Sequence, residues 1–357
     1  MNKLKKIDKL KIDDALKKRI RITSECNDCD YIPKVKNAGR IFRTKNYDYQ
    51  LMHNGIKVLK DGYHGQGITE IIKLCNGHHE PQEEKAFHEI LNILKKNKKK
   101  LIMIELGSHW SYYSLWFRKA LKGSINYMIE PDINNLKVGR FNFSINNEKG
   151  FFIHAFISDK KLKARDFEIE SNNEVHQIPS YSLDSFIKDF NIPYVDLVLV
   201  DIQGYELKML KGAINTIKNK NIRFLFLSTH HHSISKDFLI HQKCKNFILQ
   251  HDGKILCEHT IYESFSGDGL IVATFDNKDS SLGNLMISYN RYQNSIFNEL
   301  EYDLCALEEE NFSLTKKIKK RDIDNENLNQ LINKIYRSRS WYFISLISKV
   351  KNFIFKK

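Results

Sequence analysis

The chain has 357 residues, 41% of them hydrophobic, and a formal net charge of +14 at pH 7. This length accommodates one large domain with appendages, and the hydrophobic content is that of a globular protein. Lysine is spread along the whole chain, so the charge mainly indicates a solvated surface. Phosphorylated or nucleotide-linked substrates, or an anionic membrane surface, are the alternative. No arginine-rich patch is interleaved with aromatic residues, so a nucleic-acid partner is not expected.

The N-terminal segment, MNKLKKIDKLKIDD, is polar and rich in lysine, which argues against a secretory signal. No apolar run reaches the length of about eighteen residues that suggests a transmembrane helix. The cysteines lack the spacing of a disulfide scaffold, so reduced thiols and a cytoplasmic location are expected. Cys26 and Cys29 form a C-x-x-C pair, but no second pair completes a zinc site, so packing or a turn is preferred to a metal or redox role.

The segment before the first buried strand contains short strand-like runs at 40–43 and 55–59. A glycine-bearing turn, DGYHGQG, follows at 61–67, and a helix is predicted over 83–97 from its apolar periodicity. The histidine pair at 78–79 is interpreted as part of the loop that precedes this helix.

Seven apolar runs have the character of buried strands. Helical patterns at 112–121, 181–190, 204–219 and 236–250 separate most of them, which predicts an α/β fold with a parallel, doubly wound sheet and right-handed crossovers. Only the last two runs lack a helix between them, so an antiparallel hairpin is expected at the sheet edge. The runs end on Glu105 and Glu130 and then occupy 151–157, 195–201, 222–228, 254–258 and 269–275.

The first two strand ends predict a site for a nucleotide-type cofactor. A turn at Gly107 follows the first strand, and Glu130 ends the second. Ligands of open α/β sheets lie beyond the carboxyl ends of the strands, where an acid can hold a ribose diol. The turn lacks the G-x-G-x-x-G pattern that cradles a pyrophosphate. A ligand with a ribose and no pyrophosphate is therefore favoured, and S-adenosylmethionine is the common one.

Four ordered motifs resemble those of the FkbM family of S-adenosylmethionine-dependent O-methyltransferases over about residues 80–275. Two positions depart from the family pattern, because Ser111 replaces the second glycine of the first motif and Gln203 replaces a glutamate. The matching stretches are ELGSHWSYYS at 105–114, Glu130-Pro131-Asp132, Ser158-Asp159, and Ser182-Leu183-Asp184 followed by DIQGYELKMLKGA at 201–213.

The resemblance implies a Rossmann-like methyltransferase fold, with a seven-stranded, mostly parallel sheet whose last strand is antiparallel. The methyltransferase domain is expected at 80–285, preceded by a lid or substrate region at 1–79 in which His64 contacts the acceptor. The residues that the resemblance places around S-adenosylmethionine are Glu105, Gly107, Ser108, Glu130, Pro131, Asp132, Ser158, Asp159 and Asp201.

Two strand ends supply candidates for catalysis. Asp201 ends the strand VDLVLVD, and His230 opens a run of three histidines after the next strand. A histidine there can accept the proton of an attacking hydroxyl, bind a divalent metal with Asp201, or simply hydrogen-bond substrate or water in a loop. Asp201 can instead attract the positive charge of the cofactor. Glu206, His231 and Asp268 are assigned to the substrate pocket, and no metal is assigned.

The C-terminal part has a different pattern. From 300 to 335, seam positions alternate by four and three residues and hold mostly Leu and Ile, with Asn311 and Asn325 among them. This predicts a coiled-coil helix over 286–336 and a homodimer, with a single helix that packs back on the domain as the alternative. Residues 337–357 combine an apolar face with lysines, which predicts a basic amphipathic tail at a membrane interface.

These patterns together predict a cytoplasmic enzyme, peripheral at the inner face of the cell membrane, that O-methylates a sugar hydroxyl in capsule or lipopolysaccharide biosynthesis. The acceptor is expected to be a sugar or glycan, which can be nucleotide- or lipid-linked. The alternative is a catalytically weakened methyltransferase-fold scaffold that recruits glycan-assembly enzymes, for which the departures at Ser111 and Gln203 are the reason. A metal-dependent hydrolase built on the histidine cluster ranks last.

Overall fold

The computed structural model describes residues 7–10, 12–96, 100–169, 171–172, 174–290 and 300–354. The chain divides into two compact units, Met1–Phe297 and Asn298–Lys357. The first unit holds the strands, and the second unit consists of two helices. Part of the segment between the domain and the predicted seam, residues 291–299, lies outside the described residues.

The larger unit is built on a seven-stranded sheet. Its order is β12–β13–β11–β10–β4–β5–β6, and its strands pair in parallel except β13, which is antiparallel to both neighbours. The predicted fold class, with its reversed last strand, is therefore confirmed. The strands of the chain are β1 Ile41–Arg43, β2 Asp48–Leu51, β3 Lys57–Leu59, β4 Ile102–Leu106, β5 Ile125–Glu130, β6 Phe151–His154, β7 Phe156–Ile157, β8 Leu162–Glu168, β9 Val175–Tyr181, β10 Val195–Val200, β11 Ile222–Thr229, β12 Lys254–His259 and β13 Gly269–Thr274.

Helices cover both faces of this sheet. One helix that was predicted as continuous over 204–219 is in fact two short helices, α7 and α8. The helices are α1 Asp14–Glu25, α2 Gly65–Leu74, α3 Pro81–Leu94, α4 Tyr112–Ala120, α5 Ile133–Ile145, α6 Leu183–Asp189, α7 Glu206–Lys211, α8 Ile214–Lys218, α9 His232–Ser235, α10 Ile240–Gln250, α11 Leu300–Tyr336 and α12 Arg339–Ile354.

The break between α7 and α8 has a local cause. The Asp184 carboxylate accepts hydrogen bonds from the backbone N–H groups of Asn215 (3.0 Å) and Thr216 (2.8 Å), which caps the start of α8. At Gly212 the chain passes so close to its neighbours that a Cβ would lie 2.5 Å from a backbone carbonyl oxygen. A regular helix through this point would lose both contacts.

The central strand β10 shows why the core has two layers. Every residue of its sequence VDLVLV is buried, and successive side chains point to opposite faces of the sheet. Leu197 and Leu199 pack in one hydrophobic layer, and Val198 and Val200 pack in the other. A strand covered on both faces reads as a continuous apolar run, which is the pattern the sequence shows.

The N-terminal segment covers one end of the sheet. Strands β1, β2 and β3 form an antiparallel three-stranded sheet. Two asparagines of α5 hold its last strand, because Asn142 accepts from the backbone N–H of Leu59 (2.8 Å) and Asn146 accepts from that of Lys57 (2.9 Å). The predicted strand-like runs at 40–43 and 55–59 correspond to β1 and β3, and α2 follows the glycine-bearing turn.

The second unit consists of α11 and the shorter α12. Apolar seam side chains of α11, such as Leu328 and Ile332, are exposed to solvent in the single chain, and so are Phe343 and Ile347 of α12. The predicted range 286–336 is too long at its start, because residues 286–290 are not helical and the helix begins at Leu300. The coiled coil itself stays a prediction. Among the described helices, none combines the length and the apolar character that are needed to cross a membrane.

Candidate active site

A cleft of about 430 Å³ opens at the carboxyl ends of β4, β5 and β10, where ligands of open α/β sheets bind. Several predicted site residues line it, and the N-terminal segment contributes the side chains of Tyr63 and His64. The walls include Tyr63, His64, Gly107, His109, Ile129, Glu130, Pro131, Asp132, Phe156, Phe167, Ile169, Asp201, Gln203 and Tyr205.

The turn after β4 brings backbone to the floor of the cleft. Gly107 has a φ of +75°, and a Cβ on it would lie 1.7 Å from the carbonyl oxygen of Asp201. The N–H groups of Gly107 and Ser108 both donate to the carbonyl of Ile129, at 2.9 and 3.1 Å. Glycine is therefore required at 107, because any side chain would overlap the adjacent strand end.

Ser111 departs from the family in residue type but keeps a left-handed backbone, with a φ of 57°. His109 (φ 37°) and Gln203 (φ 48°) share this conformation. Each left-handed non-glycine residue costs about 1–2 kcal/mol, so the surrounding contacts hold these turns in place. The serine at 111 thus leaves the path of the loop intact.

Glu130 lies at the end of β5 with its carboxylate at the cleft wall. Its two oxygens accept hydrogen bonds from the backbone N–H groups of His109 and Asp132, each at 2.9 Å. A carboxylate can accept about four hydrogen bonds, and ribose hydroxyls are suitable donors to such oxygens. The two backbone bonds fix the carboxylate before any ligand arrives.

One wall of the cleft is apolar and aromatic. The small sheet β7–β9–β8 supplies Phe156 and Phe167, whose ring centroids lie 5.0 Å apart, and Tyr205 lies 6.0 Å from the first of them. Ile129 and Ile169 complete this wall. The arrangement offers a planar slot for a flat heteroaromatic group.

A histidine between carboxylates stands at the end of β11. His230 Nε2 lies 3.0 Å from Asp201 Oδ1 and 3.9 Å from Asp268 Oδ1, and its Nδ1 lies 2.7 Å from Glu206 Oε1. Glu206 is fully buried, whereas the Asp201 side chain is 36% exposed. The sequence predictions at 201, 206, 230 and 268 therefore meet at one place.

The contacts with these carboxylates determine the protonation of His230. Burial by itself lowers the pKa of His230, but the charge of Asp268 and the hydrogen bonds to Asp201 and Glu206 raise it well above its ordinary value. Both ring nitrogens then carry protons. The contacts thus favour the imidazolium form of His230, and its predicted role as a proton acceptor stays a prediction.

The two aspartates beside His230 differ in the direction of their pKa shifts. Burial raises the pKa of Asp201, but the hydrogen bond from His230 and the charge of that ring outweigh burial, so the pKa of Asp201 is lowered. For Asp268, burial raises the pKa to about 6 against the lowering effect of His230, and the charge of Asp201 raises it further. Asp201 is a stable anion, and Asp268 titrates near the pH at which proton transfer is efficient.

Two histidines face each other across the cleft. His64 has a left-handed backbone and lines the wall, with its ring centroid 5.1 Å from that of His109. Burial and the charge of His64 lower the pKa of His109 to about 4, so His109 is neutral. The ring of Tyr63 lies 4.9 Å from that of His109 and stacks on Trp110 at 4.6 Å. His64 is thus at the cleft, as predicted, although its contact with an acceptor stays a prediction.

Other residues that the resemblance placed at the cofactor lie off the described walls of this cleft. Glu105 is buried beneath the floor, where it accepts from the N–H of Ser114 (3.2 Å) and burial raises its pKa to about 8. Ser108 is buried, Ser158 bonds to Asp159 (3.0 Å), and that aspartate faces a separate surface groove. These side chains shape the fold behind the cleft rather than its wall.

Two predicted residues have capping roles. Asp132 lines the cleft beside Pro131, and its carboxylate accepts from the N–H of Asn134 at the start of α5 (2.8 Å). His231 is buried and its side chain caps the short helix α9 by contact with Ser233. Its place in the substrate pocket stays a prediction.

Residues 92–255 match the family model described as the methyltransferase FkbM domain. The chain carries an FkbM methyltransferase domain. It is accordingly a methyltransferase that depends on S-adenosylmethionine. No curated protein sequence matches the chain significantly.

Three solved structures that resemble this chain are distant from it in sequence. TrmK of M. capricolum, in complex with S-adenosyl-homocysteine, aligns with 16% identity over 71% of this chain and 95% of its own, with a TM-score of 0.35. Precorrin-6y C5,15-methyltransferase from Geobacter metallireducens GS-15 aligns with 15% identity over 53% and 87%, with a TM-score of 0.34. The N-terminal domain of human METTL16, in complex with S-adenosyl-homocysteine, aligns with 13% identity over 55% and 71%, with a TM-score of 0.35. These scores are low, so the fold assignment rests on the strand order and the protein class on the family match.

The residues present in the FkbM methyltransferase cleft fit S-adenosylmethionine. Glu130 offers anchored carboxylate oxygens for ribose hydroxyls, and the slot beside Phe156 and Phe167 suits an adenine ring. The open backbone at Gly107 leaves room at the strand end, and the anion Asp201 suits a positively charged sulfonium. The donor set therefore matches the chemistry of this cofactor.

We predict that Glu130→Ala weakens S-adenosylmethionine binding by about 1.5–3 kcal/mol, roughly ten- to a hundredfold in Kd, because hydroxyl groups lose a charged acceptor. Isothermal calorimetry on the full chain measures this change. Glu174→Gln, which removes an exposed carboxylate on the outer hairpin, is the matched control and should bind as the wild type does. Equal affinity in Glu130→Ala and the wild type would show that the ribose is held elsewhere.

Proposed function

We propose that the protein O-methylates a hydroxyl group of a sugar during surface-polysaccharide assembly, with Asp268 as the proton acceptor. The carboxylates around His230, of which Asp201 lines the cofactor cleft, carry this proposal. A hydroxyl acceptor must lose its proton as the new bond to carbon forms, so a base within reach is useful. Bound S-adenosylmethionine supplies the methyl group as an electrophile on a sulfonium sulfur.

Asp268 suits the base role better than its neighbours do. His230 already carries both ring protons, and Asp201 is stabilised as an anion, which makes it a weak base. Asp268 has a pKa of about 6, so it is mostly deprotonated at neutral pH and still binds a proton well. His230 positions the two aspartates, Asp201 attracts positive charge at the cleft, and Asp268 takes the hydroxyl proton.

The character of the cleft mouth supports a sugar as the acceptor. The rings of Tyr63, His64 and His109 combine flat faces with hydrogen-bonding atoms, which suits a ring that carries several hydroxyls. The net charge of +14 favours an acceptor with phosphate groups, either nucleotide-linked or lipid-linked. A free sugar and a finished polymer are the other forms that an assay must distinguish.

The exposed apolar residues of the second unit support assembly and location as part of the proposal. Leu328 and Ile332 lie four residues apart on one side of α11 and are both more than 40% exposed in the single chain. A second copy of α11 would cover them as a coiled coil and give a homodimer. On α12, Trp341, Phe343 and Ile347 are exposed near lysines, which suits a cytoplasmic protein that binds the inner membrane surface.

We predict that the full chain transfers labelled methyl from S-adenosylmethionine to a nucleotide- or lipid-linked sugar, because its positive surface favours phosphorylated acceptors. The measurement is a panel of free sugars, nucleotide sugars, lipid-linked sugars and purified capsule or lipopolysaccharide. Methylation of small phenols and catechols serves as the comparison. Transfer to these phenols without transfer to any sugar form would contradict the proposed acceptor class.

We predict that Asp268→Asn lowers kcat by roughly a hundredfold or more, since general base catalysis contributes about 10²–10⁴. A carboxylate accepts a proton only when ionised, so wild-type kcat should rise with pH through about 6, and the variant should lose this rise. Calorimetry should give the same cofactor affinity for both. Asp189→Asn on the surface is the control. A full-rate variant with an unchanged pH profile would assign the proton to water or to Asp201.

We predict that a chain ending at 297 is about half the mass of the full-length protein assembly in light scattering and still binds S-adenosylmethionine. The end point must follow residue 290, because Asn290 donates to the Ser264 carbonyl (3.0 Å) and Ser288 Oγ bonds to Asp28 (2.6 Å) inside the first unit. The full chain should also pellet with anionic phospholipid vesicles at low salt and be released as salt rises, whereas the shortened chain should not pellet.

Two substitutions distinguish an effect of charge on the predicted seam from an effect of charge elsewhere on the surface of α11. Leu328→Glu places a charge on the predicted seam, and Ile323→Glu places one at an equally exposed position off it. Only the seam variant should shift the assembly to the monomer mass. A monomeric wild type, or equal shifts in both variants, would contradict the dimer.

A further inference from the structure

Three buried side chains of different donor types lie close together in the first unit. Cys29, His78 and Glu84 each offer a ligand atom, and these atoms all lie within 4.8 Å of one another. Their exposures are 4%, 1% and 0%. The thiol comes from the turn after α1, and the other two donors come from the start of α3 and the loop before it. Three ionisable groups in a dry interior are costly unless something compensates them.

Hydrogen bonds already connect these three side chains to their surroundings. His78 Nδ1 lies 2.5 Å from Glu84 Oε2, while the other oxygen of Glu84 accepts from the backbone N–H of His79 at 2.7 Å. His78 Nε2 is buried and has no hydrogen-bond partner anywhere in the described chain. The Cys29 sulfur has the Pro81 carbonyl at 3.1 Å as its hydrogen-bond contact. Nδ1 is the His78 nitrogen that faces Glu84, so a metal ion would take the place of the proton that these two atoms share.

We propose that Cys29, His78 and Glu84 bind a structural zinc ion. One thiolate, one imidazole and one carboxylate are the donor types that zinc takes in proteins, and the mixture of sulfur, nitrogen and oxygen disfavours calcium and magnesium. A thiolate and a carboxylate balance the double charge of the ion, while the adjacent His79 is paired with Glu80 at 3.0 Å. His79 Nδ1, 2.6 Å from Glu84 Oε1, and His53 Nδ1, 3.6 Å from Glu84 Oε2, are candidates for a fourth ligand.

The enclosure of the site assigns it a structural rather than a catalytic role. Catalytic zinc keeps an open position for water or substrate, whereas these donors are sealed from solvent. The ion would join the turn at Cys29 to the start of α3, about fifty residues further along the chain. That part of α3 also holds Glu83, which accepts a hydrogen bond from Ser228 Oγ on β11 (3.3 Å). The site therefore fixes the N-terminal segment against the sheet.

The spacing of the donors explains why the sequence pattern did not reveal them. Only Cys29 of the C-x-x-C pair belongs to the group, and its co-ligands lie far along the chain in the stretch GHHEPQEE. Cys26 is buried nearby as a thiol, and burial raises its pKa to about 12. A sequence pattern with two cysteine pairs does not describe a site of one cysteine, one histidine and one glutamate.

The test is the metal content of the untagged full chain after purification from zinc-supplemented cells, measured by inductively coupled plasma mass spectrometry. We expect one zinc per chain in the wild type and a fall to near zero in Cys29→Ser and His78→Gln. Cys257→Ser, which changes another buried cysteine, is the matched control and should keep the ion. Zinc retained by Cys29→Ser would overturn the ligand assignment, and a metal-free wild type that also fails to take up added zinc would overturn the site.

A second measurement covers the case in which the variants do not fold. The wild type produced with cobalt in place of zinc should show a thiolate-to-cobalt charge-transfer absorption in the near ultraviolet, because one ligand is sulfur. Cys257→Ser should show the same band. Bound cobalt without this band would exclude Cys29 as a ligand and thereby overturn the proposal. Neither measurement depends on methyl transfer.

Discussion

The close approach of Gly107 to Asp201 governs the arrangement of the active site. With no Cβ at 107, the turn after β4 can lie against the backbone at the end of β10, and a methyl group there would overlap the carbonyl oxygen of Asp201. The same turn donates two N–H groups to the end of β5. The ends of β4, β5 and β10 therefore lie close together. The carboxylates at 130 and 201 consequently face one cleft, although 71 residues separate them in the sequence.

The distribution of buried charge follows from that geometry. Several buried carboxylates lie close to one another at or behind the cleft, and their mutual repulsion is unfavourable without positive partners. Histidines provide these partners: His230 stands between Asp201 and Glu206, and His79 lies between Glu80 and Glu84. Burial lowers the pKa of His79, but the charge of Glu80 and its hydrogen bonds raise it to about 10. Contacts with carboxylates thus favour the imidazolium form of these two histidines.

Sequence reasoning recovered the sheet because its strands are covered on both faces and appear as unbroken apolar runs. It also placed Glu130, Asp201 and His230 at strand ends, which parallel pairing brings to one edge. The aromatic wall was missed, because the hairpin strand LKARDFE is mostly polar and exposed and resembles a loop in sequence. Helix α5 was missed for a related reason, since the apolar residues of INNLKVGRFNFSI do not form a clear stripe. The protonation of His230 depends on Glu206 and Asp268 approaching it, which no local pattern encodes.

The attachment of β3 to α5 has a consequence for ligand traffic. Asn142 and Asn146 hold the backbone of β3 through N–H and carbonyl groups, so this strand is bound to the same helix that begins beside the cofactor cleft. A flap that opened at this seam would have to break several hydrogen bonds at once. The sheet of β1, β2 and β3 is therefore held in place by these hydrogen bonds. Tyr63 and His64 follow β3 directly in the chain and line the cleft, so the hold on β3 also limits the movement of these two side chains.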